Sequence, residues 1–155
     1  MCGVNGVVAS RNGAGDGPSV SAVVQCMTSV LGHRGPDASG VWNCPSGQVA
    51  LGHTRLAIVD LSAAGAQPMT SKDGRWTVTY NGEVYNFQDL RAELERDGAP
   101  FQTTTDTEVI LRLWEREGPG CISRFDGMFA QKRDRRSGSW QSSGGGAGNR
   151  RGDFR

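Results

Sequence analysis

The 155-residue sequence has no long apolar run, and no charged segment precedes an apolar one near its start, so neither a membrane-spanning helix nor a secretory leader is expected. A cytoplasmic protein is the corresponding expectation. Charge of one sign is also missing, since 17 basic and 16 acidic residues leave a net +1 at pH 7. Such a chain has no global field to recruit nucleic acid or an acidic membrane. The four cysteines, Cys2, Cys26, Cys44 and Cys121, include no C-x-x-C pair with which to begin a zinc or iron–sulfur site. A disulfide framework is equally unexpected in a reducing compartment. What the chain has in excess is glycine, 23 residues of 155, which calls for many tight backbone positions, a flexible tail, or both.

The succession of patterns is that of a mixed α and β domain. Residues 2–8 read as a short strand. Ser19 precedes Val20, Val23, Val24, Met27, Val30 and Leu31 at helical spacing, with Cys26 on the apolar side and Gly32 ending the helix. The turn-rich loop His33-Arg34-Gly35-Pro36-Asp37 leads to extended stretches around Val41-Trp42 and from Gln48 to Val59, then to a loop holding Gly65 and Pro68. Residues 76–80, β-branched and aromatic, predict a strand, and Asn81-Gly82 predicts a turn directly after it. Further helices are expected over residues 87–97, with Gly98 as the C′ residue, and from the capping box Thr105-x-x-Glu108 to Gly118. Cys44, in a turn beside Pro45, and Cys121, after a Gly-Pro-Gly break, read as packing residues, as does Cys26. From Gln131 to Arg155 seven basic and two acidic residues accompany only three apolar ones, Trp140, Ala147 and Phe154. That composition cannot build a core, so residues 131–155 are expected to be a low-complexity basic tail outside a domain of residues 1–130.

Cys2 differs from the other thiols because removal of Met1 makes it the first residue. Its α-amino group, with an unperturbed pKa of about 7.7–8.0, then serves as a base beside the nucleophile. Nucleophilic attack on a carboxamide produces an oxyanion that needs donors already in place. Asn81 and Gly82 can supply them, from a side-chain amide and a backbone N–H. Arg55 offers a planar fork suited to a carboxylate, and Glu83 and Asp106 can hold an ammonium group. Each of these also has an ordinary structural reading: a hairpin turn, a surface arginine, a helix N-terminus. His33 and His53, without carboxylates or thiolates at ligand spacing, read as structural side chains rather than metal ligands.

Taken in order, Met1-Cys2-Gly3-Val4, His33-Arg34-Gly35-Pro36-Asp37, residues 51–62 (LGHTRLAIVDLS), Gln67-Pro68-Met69, residues 80–86 (YNGEVYN), Thr105-Asp106-Thr107-Glu108 and Gly127-Met128-Phe129-Ala130 closely resemble the N-terminal glutaminase domain of glutamine-hydrolysing asparagine synthetases, a class II glutamine amidotransferase. The resemblance implies an α+β fold, the N-terminal-nucleophile four-layer sandwich of two antiparallel sheets between helices, here incomplete at its C-terminal end. It implies Cys2 as nucleophile, Asn81 and Gly82 as oxyanion hole, Arg55 as partner of the α-carboxylate of glutamine, and Glu83 and Asp106 as receivers of its α-amino group. Backbone groups of Leu56, Ala57, Ile58 and Val59 would line the pocket. Glutamine hydrolysis would need no cofactor. Mg-ATP would belong to a synthetase domain that makes asparagine from aspartate and is missing from this chain.

The likeness lapses after Ala130, where Gln131-Lys132-Arg133 stands in place of an apolar strand. A truncated or frame-shifted product is the expectation, and two further readings follow from it. One is a non-catalytic remnant that binds glutamine or a partner chain. The other is the glutaminase domain of a sister amidotransferase making another amide. The oligomeric state is open, a homodimer included.

Overall fold

The structure, a computed structural model, describes residues 2–9, 17–57 and 62–135. Its strands form two antiparallel three-stranded sheets. The first has the order β1 (Gly3–Val8), β3 (Val49–Arg55), β2 (Ala38–Asn43), and the second β4 (Met69–Thr70), β5 (Trp76–Val84), β6 (Gly127–Arg135). Helix α1 (Val20–Val30) packs on the first sheet, α3 (Asp106–Glu117) covers the second, and α2 (Phe87–Arg96) lies against α3. With β1 and β3 facing β5, the layers run helix, sheet, sheet, helix. This is the expected sandwich.

Burial explains why β3 is the organising strand. All seven of its residues are buried, because it is central in its sheet and covered on both faces. Alternate residues point to opposite faces. Gly52 and Thr54 face α1: a Cβ on Gly52 would lie 2.2 Å from Thr28 Oγ1, and Thr54 donates to the Leu31 carbonyl at 3.2 Å. His53 and Arg55 therefore face the second sheet. His53 Nε2 bonds the Tyr80 carbonyl at 3.2 Å, and beside it Thr79 Oγ1 donates to the Gly52 carbonyl at 3.3 Å. These two bonds tie the sheets together. Burial pushes the His53 imidazole down to about 4, so at neutral pH it is uncharged and Nε2–H is the donor to Tyr80.

The larger core fills the space between the second sheet and its helices, where Val78, Tyr80 and Val84 meet Leu94, Ile110 and Leu113. Trp76 and Trp114 meet edge to face at 5.6 Å. Two helix ends form as their sequences predict. Gly98, at φ 84°, follows α2 in a Schellman arrangement, its N–H bonding Glu95 O and that of Ala99 bonding Leu94 O, both at 3.0 Å. Thr105 caps α3 through Oγ1, which accepts the Glu108 N–H at 3.3 Å. The Glu108 carboxylate reaches further back than a capping box requires, accepting the N–H groups of Gln102 and Thr103 and the Thr103 hydroxyl.

Other expectations are corrected. Asn81-Gly82 is not a turn, because β5 runs on through Val84 with Asn81 opposite Ala130 and Gly82 opposite Phe129. The long partner β6 outweighs the local turn preference. Gly32 does not end α1 in a left-handed conformation. The helix tightens into a 3-10 turn over Leu31–Arg34. Cys26 is exposed, as are Met27 and Val30, while Val24 and Thr28 form the buried stripe. The extended stretch from Gln48 forms β3 as far as Arg55, and Ile58 and Val59 lie outside the described residues. Strand β6 also carries its pairing past Ala130 to Arg135, into the first residues of the expected tail. The rest of the expected tail, residues 136–155, lies outside the described residues. No helix among the described residues is long and apolar enough to cross a membrane.

Candidate active site

At one end of the gap between the sheets lies a cavity of about 440 Å³. Strand register explains which side chains reach it. Gly3 pairs with Thr54, so Cys2 and Arg55 stand side by side, both on the face turned towards the second sheet. Asn81 follows Thr79 on the inner face of β5. Cys2, Arg55, Leu56, Ala57, Asn81, Gly82, Glu83 and Asp106 all line the cavity. The structure thus brings together every residue that the resemblance assigns to the pocket except Ile58 and Val59, which lie outside the described residues.

Cys2 is partly exposed and held on both sides. Its sulfur accepts the Leu56 N–H at 3.4 Å and lies 3.7 Å from the Leu56 carbonyl, while Arg34 Nε donates to the Cys2 carbonyl at 3.2 Å. Leu56 thus engages the Cys2 sulfur itself. The His33–Asp37 segment, a motif with no individual roles assigned from sequence, braces this corner. Asp37 accepts the Ala57 N–H at 2.8 Å, and Gly35 lies so close to β3 that a Cβ there would come 2.5 Å from the Thr54 carbonyl.

Arg55 is buried, and its Nη1 donates to the Ser62 carbonyl at 2.7 Å. Gly65 leaves room for the guanidinium, since a Cβ there would be 2.5 Å from Arg55 Nη2. This is a second glycine whose importance only three-dimensional contact shows.

The open edge of β5 supplies the donors. Strand β4 pairs only with Thr77 and Val78, so beyond them the side of β5 away from β6 carries no strand among the described residues. Tyr80 N–H on that side donates to Gln67 Oε1 at 2.7 Å, and Val84 N–H donates to Asp106 Oδ2 at 3.2 Å. Gly82 lies between them with the same parity, so its N–H points to the same side. No hydrogen bond among the described residues engages it. An extended strand edge, not a turn, presents this group to the cavity.

Asp106 is the first residue of α3, where a carboxylate also suits the helix N-terminus. Its Oδ2 accepts the Tyr80 hydroxyl at 3.0 Å as well as the Val84 N–H. Burial pushes its carboxyl above the ordinary value of 3.8, and the hydrogen bonds from Val84, Tyr80 and Thr107 oppose the rise. The folded protein therefore holds this proton more tightly than the unfolded chain does. Stability falls as pH rises from 3.8 through the raised value, and the loss persists at neutral pH. Asp106→Asn is expected to remove that cost and raise the Tm at pH 7 by a few degrees, while weakening capture of a cationic group by about tenfold. Thermal unfolding and the affinity for a ligand bearing a primary ammonium group, measured on the same preparation, check both signs. Glu83 sits exposed at the rim, next to Tyr85 and Met128.

Comparison with known proteins gives this geometry its context. Residues 1–139 match the family model described as glutamine amidotransferase domain. An asparagine synthetase (glutamine-hydrolysing) of Bacillus subtilis is 40% identical over 132 residues, covering 84% of this chain and 20% of that protein. Asparagine synthetase B of Escherichia coli is 44% identical over 104 residues, covering 67% of this chain and 18% of its own. The chain thus spans about a fifth of the length of these curated relatives. Among solved structures, glutamine phosphoribosylpyrophosphate amidotransferase from B. subtilis superposes with a TM-score of 0.68 at 21% identity, covering 87% of this chain and 35% of that one, a likeness of fold.

Proposed function

The chain belongs to the glutamine amidotransferase domain family, and from that premise we propose that its cavity hydrolyses the side-chain amide of glutamine. The carrying observation is the convergence of Cys2, Arg55, Asn81, Gly82 and Asp106 on one cavity from four separate places in the chain. In this reading the Cys2 sulfur attacks the amide carbon, and the new oxyanion is received by the Asn81 side-chain amide and the Gly82 N–H. The liberated α-amino group of Cys2 takes the thiol proton and passes it to the departing nitrogen. The carbon–nitrogen bond breaks, ammonia leaves, and a γ-glutamyl thioester remains. Water, deprotonated by the same amine, attacks the thioester and releases glutamate. Arg55 receives the α-carboxylate, while Asp106 and Glu83 receive the α-amino group, with Leu56 and Ala57 along the pocket wall.

Every step uses groups of this chain, so hydrolysis needs no cofactor. A free nucleophilic thiol suits a reducing cytoplasm. The ammonia serves a synthetase domain or chain that makes asparagine from aspartate with Mg-ATP, the reading supported by the asparagine synthetases among the relatives. Incubating the chain, with Met1 removal verified by mass, with glutamine is expected to yield glutamate and ammonia in equal amounts. A folded, trimmed chain that releases neither would refute the reading and leave a glutamine-binding remnant in its place.

A further inference from the structure

Gln67 lines the cavity, and neither end of its side-chain amide is free for substrate. Its Oε1 accepts the Tyr80 N–H at 2.7 Å and its Nε2 donates to Thr107 Oγ1 at 3.1 Å. Tyr80 immediately precedes Asn81, and Thr107 immediately follows Asp106. One planar amide thus spans the strand that supplies the oxyanion donors and the helix that supplies the carboxylate. Tyr80 is itself fixed twice over: its carbonyl is held by His53, and its hydroxyl donates to Asp106. The backbone of Gln67 is pinned from behind by Gly40 on β2, where a Cβ would lie 2.3 Å from the Gln67 carbonyl oxygen. A strand continuing from β4 could hold Tyr80, but it could not also reach α3.

We propose that Gln67 is a positioning residue that sets the separation of Asn81 from Asp106, and thereby makes the cavity select an amide substrate of glutamine's length. The assignment rests on the glutaminase reading given above. An amino acid whose amide carbon lies one methylene nearer to its α-amino group cannot reach both ends of a cavity held at this span. Loosening the span removes the discrimination before it removes the nucleophile.

The test compares alkylation of Cys2 by three reagents, read by mass spectrometry on the trimmed chain. Two are diazoketone amino acids, one of glutamine length (6-diazo-5-oxo-L-norleucine) and one of asparagine length (5-diazo-4-oxo-L-norvaline). The third, iodoacetamide, reports only on the reactivity and access of the thiol. In the unaltered chain the longer diazoketone is expected to react faster. Gln67→Met, similar in volume but without either hydrogen bond, is expected to lower the long-to-short ratio by about tenfold with the iodoacetamide rate changed less than about twofold. Thr107→Val cuts only the helix end of the link and is expected to lower the ratio by about threefold. It also serves as the deciding variant if Gln67→Met does not fold. An unchanged ratio in the folded variant overturns the assignment. So does a parallel fall in all three rates, which marks a general structural role. If neither diazoketone labels the unaltered chain while iodoacetamide does, the glutaminase reading itself is overturned, and the assignment with it.

Discussion

Cys2→Ala is expected to abolish glutamate release, lowering the rate by roughly 10⁴-fold or more, while the variant unfolds at nearly the same temperature as the unaltered chain. The asymmetry between the two readouts follows from where the sulfur sits. Cys2 is only partly buried, at the edge of β1, and its contacts to Leu56 are the weak ones of a thiol. Replacing it removes the group that the proposed chemistry needs for the bond to carbon but little of the packing. A chain that keeps Met1 should be equally inactive with its thiol intact, because the base then becomes an amide nitrogen with no basicity to offer. Glutamate release together with N-terminal mass, measured on trimmed and untrimmed fractions, separates loss of the nucleophile from loss of the base. Release that persists in Cys2→Ala would exclude the proposed chemistry.

The second large effect is expected at Gly82, where function and stability fail together. Its φ of 154° is one that a side chain rarely adopts, and a Cβ there would come 2.2 Å from the Met128 carbonyl oxygen and 2.5 Å from Phe129 Cα. The space is not available while β6 stays paired. Gly82→Ala should therefore part the strands locally and cost about 2–4 kcal/mol of stability. It should also misdirect the adjacent N–H, lowering glutaminase kcat by about 10²–10³-fold. Asn81→Ala is the informative companion, since it removes the other oxyanion donor without the steric conflict. A similar loss of kcat is expected there, with a much smaller shift in the urea midpoint. Normal turnover in both variants would remove β5 from the catalytic machinery.

How much of this was legible beforehand depends on how local the causes are. The Schellman ending of α2 at Gly98 and the Thr105 cap of α3 involve residues a few positions apart, and their sequence signatures were sufficient. The gathering of Cys2, Arg55, Asn81, Gly82 and Asp106 was legible through family resemblance. Composition and periodicity alone left each with an ordinary structural reading. Asn81-Gly82 was misread as a turn because the preference of that dipeptide is local, whereas its conformation is fixed by pairing with residues 129 and 130. The same limit hid Gln67, Arg34 and Gly65. Their partners lie about ten to forty residues away, and although Arg34 and Gln67 stand in motifs that carry the resemblance, nothing in the neighbouring sequence says what they touch. Cys26 was misplaced because a helical pattern alone does not say how wide a stripe its sheet will cover, and here the stripe is as narrow as Val24 and Thr28.

Cys2 and Arg55 belong to one sheet, Asn81 and Gly82 to the other, so the pocket exists only while the two layers are docked. Occupancy and docking are then one equilibrium seen from two sides. A ligand bridging the pocket at a hundred times its Kd would add about 2.7 kcal/mol to the cohesion of the layers. Slippage between them would erase affinity even with every strand and helix still formed. For this molecule, retention of secondary structure is no measure of competence, and the two bonds from His53 and Thr79 across the interlayer gap are as much a part of recognition as any group that touches the ligand.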